Sequence, residues 1–283
     1  MTQQRDRESL LSTLKCHFRD QKHAHSSDLL LDIFWAGLKG PKRSSIFVPF
    51  PPFLIENGHP NFARAEQIFK SIPSISEFFQ QPDLLDNLSV ESLQLLCYIV
   101  TPPDIQVEMT DSASYHLHLK QYQFVGGPSL LTSASTNYKI ASIRYKGPRL
   151  RPGTTSSDKS LYAFHGSPLS NWWSILNRGL HVGYGKGESL FGRGIYFSID
   201  QLVAENFLEF QIVDRPGKKP KKLACIAGCK IIDEPSQSNQ TSNTKSYLVV
   251  EGDENVTIEH LLVYEVFKHH HQRNQWQDEK MMT

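Results

Sequence analysis

The sequence predicts an α+β protein in which a bundle of helices over about the first hundred residues is followed by a domain built on antiparallel sheet. Three observations carry this. Apolar residues recur at helical spacing as far as Pro102-Pro103. Beyond them the chain breaks into short apolar or alternating segments separated by polar connections. Only two short stretches of that second half read as helix. At 283 residues the chain is also long for one compact core, so two domains are the default expectation.

Taken in order, Arg5 to Arg19 places Leu10, Leu11, Leu14 and Phe18 on one helical face. Ser26-Ser27-Asp28 offers capping side chains for a second helix running to about Leu38. Asn61 to Ile72, Ile75 to Phe79 and Val90 to Val100 continue the pattern, the last capped by Ser89 and ended by Pro102-Pro103. Tyr115-His116-Leu117-His118-Leu119 then alternates apolar with polar, and Tyr138 to Tyr145 reads as a strand. Gly126 to Asn137 and Gly153 to Lys159 read as loops. Leu161 to Phe164 is a strand, Asn171 to Asn177 a short helix closed by Gly179, and Ile195 to Ser198 a strand. Gln201 to Glu209 is the second short helix. Leu223 to Ile232, Tyr247 to Glu251 and His260 to Phe267 complete the strands.

Composition excludes several classes. Net charge is only +1 and no basic run is interleaved with aromatics, which argues against DNA or RNA as a partner. Lys218-Lys219-Pro220-Lys221-Lys222 is the one basic cluster and reads as a solvated loop. Ile46 to Ile55 is too short and too rich in proline to span a bilayer, so no transmembrane segment is expected. The four cysteines, Cys16, Cys97, Cys225 and Cys229, form no Cys-x-x-Cys pair, and the N-terminus has no signal-peptide pattern, which favours a reducing, intracellular and cytoplasmic setting. Cys225 and Cys229, four apart in a strand, stand about 13 Å apart on one face, too far for a disulfide. No metal site is expected: zinc-finger spacing is absent, and His269-His270-His271 reads as part of a polar tail.

The chemistry lies in two short runs. Leu161-Tyr162-Ala163-Phe164-His165-Gly166-Ser167 is followed about thirty residues later by Phe191-Gly192-Arg193-Gly194-Ile195-Tyr196-Phe197-Ser198. A glycine permits close approach of backbone to a flat ligand, a histidine can donate or accept, and an aromatic face binds a flat cationic ring. Singly, His165, Tyr196 and Phe207 would be read as core residues; the ordered combination with Gly166, Gly192 and Gly194 is specific. With Lys42 to Pro51 and Leu223 to Asp233, these runs resemble the poly(ADP-ribose) polymerase superfamily, and within it the tail-anchored endoplasmic-reticulum mono-ADP-ribosyltransferase branch. The resemblance reaches from about Ser27 to Lys268.

The resemblance implies four regions: an N-terminal helical extension (1–26), a regulatory helical domain packed against the NAD site (27–103), an ADP-ribosyltransferase catalytic domain (104–268) and a polar tail (269–283). It implies NAD as co-substrate. His165 would hold a ribose hydroxyl, Gly166 the carboxamide, Ser167 another ribose hydroxyl, and Tyr196 the nicotinamide face. His181 would contact the adenosine half, and Phe207 would close the other side of nicotinamide. Ala204 stands where the family has a serine bonding the carboxamide, a difference worth about 0.5–1.5 kcal/mol. Tyr247 stands where chain-building members have a glutamate, so the resemblance implies transfer of a single ADP-ribose to protein acceptors, self-modification included. Glu251, about 13 Å further along that strand, is a poor substitute.

Two other readings stand beside this one: a non-catalytic NAD-fold scaffold, favoured by Ala204 and Tyr247, and an RNA 2′-phosphotransferase, disfavoured by the lack of arginines in the strands. The chain ends Gln272 to Lys280, which is polar. Association with the endoplasmic reticulum is therefore expected only if a C-terminal anchor is missing from this sequence.

Overall fold

The computed structural model describes residues 2–20, 22–120, 138–147, 160–182, 194–232 and 247–266. Its first part is helical: α1 Thr2–His17, α2 Lys22–Leu38, the single turn α3 Arg43–Ile46, then α4 Phe62–Lys70, α5 Ile75–Gln80 and α6 Val90–Val100. A hairpin of β1 Ile55–Glu56 and β2 His59–Pro60 precedes α4. Local chemistry explains the boundaries. The Asn61 side chain accepts from the Arg64 amide, Ser89 accepts from the Ser92 amide, and Ser74 forms a capping box with Glu77. The start of α2 corrects the sequence reading. The Lys22 amide donates to Asp20, so the helix begins before Ser26-Ser27. Those two serines are buried inside it, with the Ser26 hydroxyl donating to the His23 carbonyl and the Ser27 hydroxyl bonded to His17.

The second part contains β3 Ile105–Thr110, α7 Ser112–Leu119, β4 Tyr138–Tyr145, β5 Ser160–Ser167, α8 Trp172–Arg178, β6 Ile195–Ser198, α9 Gln201–Glu205, β7 Gln211–Val213, β8 Lys221–Ile232, β9 Tyr247–Val250 and β10 Val256–Val266. Eight of these strands form one antiparallel sheet in the order β3-β4-β10-β8-β5-β6-β9. The eighth, β7, pairs with the first residues of β8, ahead of the stretch that pairs with β5. The predicted α+β class and antiparallel sheet hold. Several local readings do not. Tyr115 to Leu119 is part of helix α7, started by an Asp111 side chain that accepts from the Ser114 amide. It buries Tyr115 and Leu119, one turn apart, and leaves Leu117 exposed, so the alternation did not mark a strand. Strand β3, which buries Ile105 and Val107, was not read at all. Helix α9 stops at Glu205, short of Glu209.

The two parts share one hydrophobic core. Phe34 of α2 meets the edge of Trp173 of α8 at 4.9 Å between ring centres, and Phe47 packs on both. A second cluster, including Tyr115, Tyr162, Phe164, Ala204 and Tyr264, is separate from it. Beside the shared core runs an electrostatic seam. Arg215 donates to Asp28 (2.7 Å) and Asp32 (2.9 Å), with only 3% of its side chain and 2% of that of Asp32 exposed. Lys218 pairs with Asp28, and Lys221 with Asp32 and Glu265. The lysine cluster is thus no solvated loop: Lys221 and Lys222 open β8, and two of its cations neutralise carboxylates of α2. Desolvating such groups largely cancels their attraction, so the seam specifies how α2 docks more than it adds net stability.

No helix among the described residues is long and apolar enough to cross a membrane. The loops expected at Gly126 to Asn137 and Gly153 to Lys159, residues Phe191, Gly192 and Arg193 of the second run, Asp233 and the tail from Phe267, with His269-His270-His271 and Gln272 to Lys280, lie outside the described residues.

Candidate active site

β5 and β6 pair through one register position, Phe164 with Ser198. Beyond it the strands part, with His165, Gly166 and Ser167 on one arm and Tyr196, Ile195 and Gly194 on the other. A cleft of about 800 Å³ opens there and is lined by both arms. His165 spans the fork, its Nδ1 lying 2.9 Å from the Tyr196 carbonyl oxygen. A carbonyl can only accept, so Nδ1 carries the proton and Nε2 of the neutral ring is an acceptor. Burial lowers the His165 pKa below its ordinary value, opposed by the same hydrogen bond, and keeps the ring neutral.

Gly166 is a glycine because α9 and the residues just after it leave no room for more. A Cβ at Gly166 would stand 2.9 Å from the Phe207 Cβ and 3.2 Å from the Ala204 carbonyl oxygen. Ser167 is held from the other side by α8: its hydroxyl accepts from the Asn171 side chain at 3.0 Å, and its carbonyl accepts from the Trp172 indole at 3.1 Å. Helix α8 closes at Gly179, whose φ of 87° a side chain would resist, and the chain turns to place His181 on the cleft wall, bonded to Asp253.

The structure brings His165, Gly166, Ser167, His181 and Tyr196 to one cleft. Phe207, 54% exposed, backs Gly166 and is not part of the lining, whereas Phe210 is. Tyr247 opens β9, its backbone opposite Ser198, two register positions from the Tyr196–Val249 pair. Glu251 is exposed just past the end of that strand. The sequence reading missed Phe210, Arg178 and a wall from the helical part, Pro41, Lys42 and Ile46. That wall is pinned by α8. The Ser174 hydroxyl donates to the Ile46 carbonyl and accepts from the Val48 amide at 3.0 Å, and the Trp173 indole donates to the Pro49 carbonyl at 2.8 Å. A signal existed, since Lys42 to Pro51 was one of the runs that carried the resemblance.

Comparison with known proteins finds two matching family models. Residues 20–100 match the family model of the ARTD15 N-terminal domain, and residues 137–209 match that of the poly(ADP-ribose) polymerase catalytic domain. The two models lie in tandem along the chain. Over residues 137–209 the chain is thus similar to the catalytic domain of the poly(ADP-ribose) polymerase superfamily. The chain is similar to the Mus musculus protein mono-ADP-ribosyltransferase PARP16, at 26% identity across 84% of this chain and 79% of that protein. Homo sapiens PARP16 gives the same identity and coverage. It is also similar to Homo sapiens PARP8, at 27% identity across 77% of this chain but 24% of that larger protein. The forked strands therefore lie within the region that matches the catalytic-domain model, and the matched N-terminal region supplies Pro41, Lys42 and Ile46 to the cleft.

Proposed function

We propose that the protein is an NAD-dependent mono-ADP-ribosyltransferase, which breaks the bond between nicotinamide and ribose and transfers one ADP-ribose to a protein side chain. The observation that carries this reading is the His165–Tyr196 bridge on the wall of a cleft large enough for a dinucleotide. Neutral His165 presents Nε2 to accept from a ribose hydroxyl. The Ser167 hydroxyl, already accepting from Asn171, keeps its proton to donate. The backbone of Gly166 holds the carboxamide, and Tyr196 stacks on the nicotinamide ring. Phe207 behind Gly166 and Phe210 on the wall are the two aromatic candidates for the ring's other face. His181 contacts the adenosine half.

Cleavage develops oxocarbenium character on the ribose, and a fixed ribose orientation lowers the barrier to attack at its anomeric carbon. A phenol at position 247 stays neutral near pH 7 and is a weak base for a sugar hydroxyl, so chain growth stops at one unit. Protein carboxylates or thiolates, which need little activation, are the acceptors, those of the protein itself included. Residues 27–103 act as a regulatory cover on this site. Four free cysteines fit a reducing, intracellular setting.

Ala204 supports a second reading, a weakly active or inactive binding module, because its methyl cannot donate to the carboxamide. Calorimetric titration with NAD, for wild type and for His165→Ala and Tyr196→Ala, tests the assignment of the site. Saturable binding weakened at least tenfold in both variants supports it; equal binding in all three proteins refutes it.

A further inference from the structure

We propose that His118, Glu259 and His260 form a divalent-metal site, of a kind suited to zinc, that clips helix α7 to strand β10 away from the NAD cleft. None of the three lines that cleft. The atoms they offer lie within 4.8 Å of one another, with His118 Nε2 2.8 Å from a Glu259 carboxylate oxygen. Tetrahedral zinc with bonds of about 2.0–2.1 Å sets its ligand atoms roughly 3.3 Å apart. Binding would therefore bring the widest pair, no more than 4.8 Å apart, towards that spacing. Two imidazoles and one carboxylate favour zinc over magnesium or calcium, and the three ligands among the described residues are as many as a catalytic-type zinc site uses.

Two features suggest a built site instead of a chance meeting. Neighbours along a strand normally face opposite sides, yet Glu259 and His260 converge on His118. The cause is a break in register: Ile258 pairs with Cys229 and His260 with Gly228, which leaves Glu259 as an extra, bulged residue. The second feature is the support behind His260. Its Nδ1 lies 2.9 Å from the buried Tyr162 hydroxyl, leaving Nε2 to bind, as is usual for a metal-bound histidine whose other nitrogen is held by an outer partner. Tyr162 reaches His260 only because position 228 is glycine, where a Cβ would stand 1.9 Å from the Tyr162 hydroxyl oxygen.

The experiment uses the full chain with His269, His270 and His271 replaced by alanine, so that tail imidazoles do not compete. Chelator-stripped protein is titrated with zinc against a chromogenic chelator, and with cobalt(II) while its visible spectrum is followed. One equivalent of zinc is expected, with cobalt giving the intense bands of four-coordinate geometry and zinc raising the thermal midpoint. Glu259→Gln and His118→Gln, both at partly exposed positions, should lose the equivalent, and Tyr162→Phe should weaken it about 10–100-fold. Absence of stoichiometric zinc in the parent, or uptake unchanged in both Glu259→Gln and His118→Gln, overturns the proposal.

Discussion

His165 donates its Nδ1 proton to the backbone carbonyl of Tyr196, across the fork where β5 and β6 separate. One bond thus fixes the tautomer of the imidazole and ties together the two halves of the sequence signature. In the proposed complex the β5 arm holds the ribose and the carboxamide, and the β6 arm lays Tyr196 on the nicotinamide ring. Any change that rotates the ring or tilts β6 disturbs both contacts.

Gly166→Ala tests how tightly the fork is built. The added methyl meets the Phe207 Cβ and the Ala204 carbonyl, so α9 must shift. Overpacking of this kind costs about 1–3 kcal/mol of stability. We expect NAD turnover to fall at least tenfold while the protein stays folded, as read by steady-state kinetics beside thermal melting. Unchanged kinetics with an unchanged melting curve would show that the glycine is not sterically required.

Asp32 tests the seam between the two parts. Replacing it with alanine leaves buried Arg215 with Asp28 alone and Lys221 with Glu265 alone. Loss of one partner of a buried pair costs about 3–5 kcal/mol, and the remaining partners put this case at the low end. Urea unfolding followed by tryptophan fluorescence reports it directly, because Trp35 and Trp173 lie in the shared core. A loss below about 1 kcal/mol would mean that the seam is solvated in the working protein.

Much of this arrangement was legible in the sequence, for physical reasons that also explain the failures. Helix α6 was readable end to end because Ser89 and Pro102-Pro103 punctuate an apolar run. Helix α7 was not, because a five-residue alternation satisfies the strand period and its decisive cap, Asp111, lies outside that window. The cleft's strand residues were legible as a motif. Phe210 and the Pro41–Ile46 wall were not; the wall's place depends on contacts more than a hundred residues distant, such as that of Val48 with Ser174. Glu259 and His260 joined to His118 were invisible for the same reason, with a bulge added. Lys221 looked solvated because its partners, Asp32 and Glu265, are remote in sequence.

His17 makes the packing of α1 on α2 sensitive to acid. Burial and the neighbouring His23 lower its pKa from 6.5 to about 4, and its Nε2 is bonded to Ser27. Between those values the unfolded chain holds a proton that the folded protein does not, so stability falls as pH drops from 6.5 towards 4 and levels off below. Allowing for partial exposure, the contribution is about 2 kcal/mol. Denaturant melts of wild type and His17→Gln at pH 7 and pH 4.5 isolate it from the carboxylates. The variant should lose less stability than wild type over that interval; equal losses would contradict the assignment.

The thiols should divide by burial. Cys16 is exposed, Cys97 intermediate, and Cys225 and Cys229 are buried in β8, where desolvation raises both thiol pKa values. Native protein treated with a maleimide should label Cys16 first, with Cys225 and Cys229 reacting only on unfolding. Rapid labelling of either in the native state would show that β8 is not the closed core strand described.

The most direct test of the central claim is the intact mass of the purified full-length protein after incubation with NAD, alone and with a candidate acceptor. The account predicts increments of one ADP-ribose per modified site, lost in His165→Ala, retained in Tyr247→Phe, and unaltered by an enzyme that cuts only ribose–ribose linkages. No increment under any condition, or a ladder that collapses under that enzyme, would contradict it.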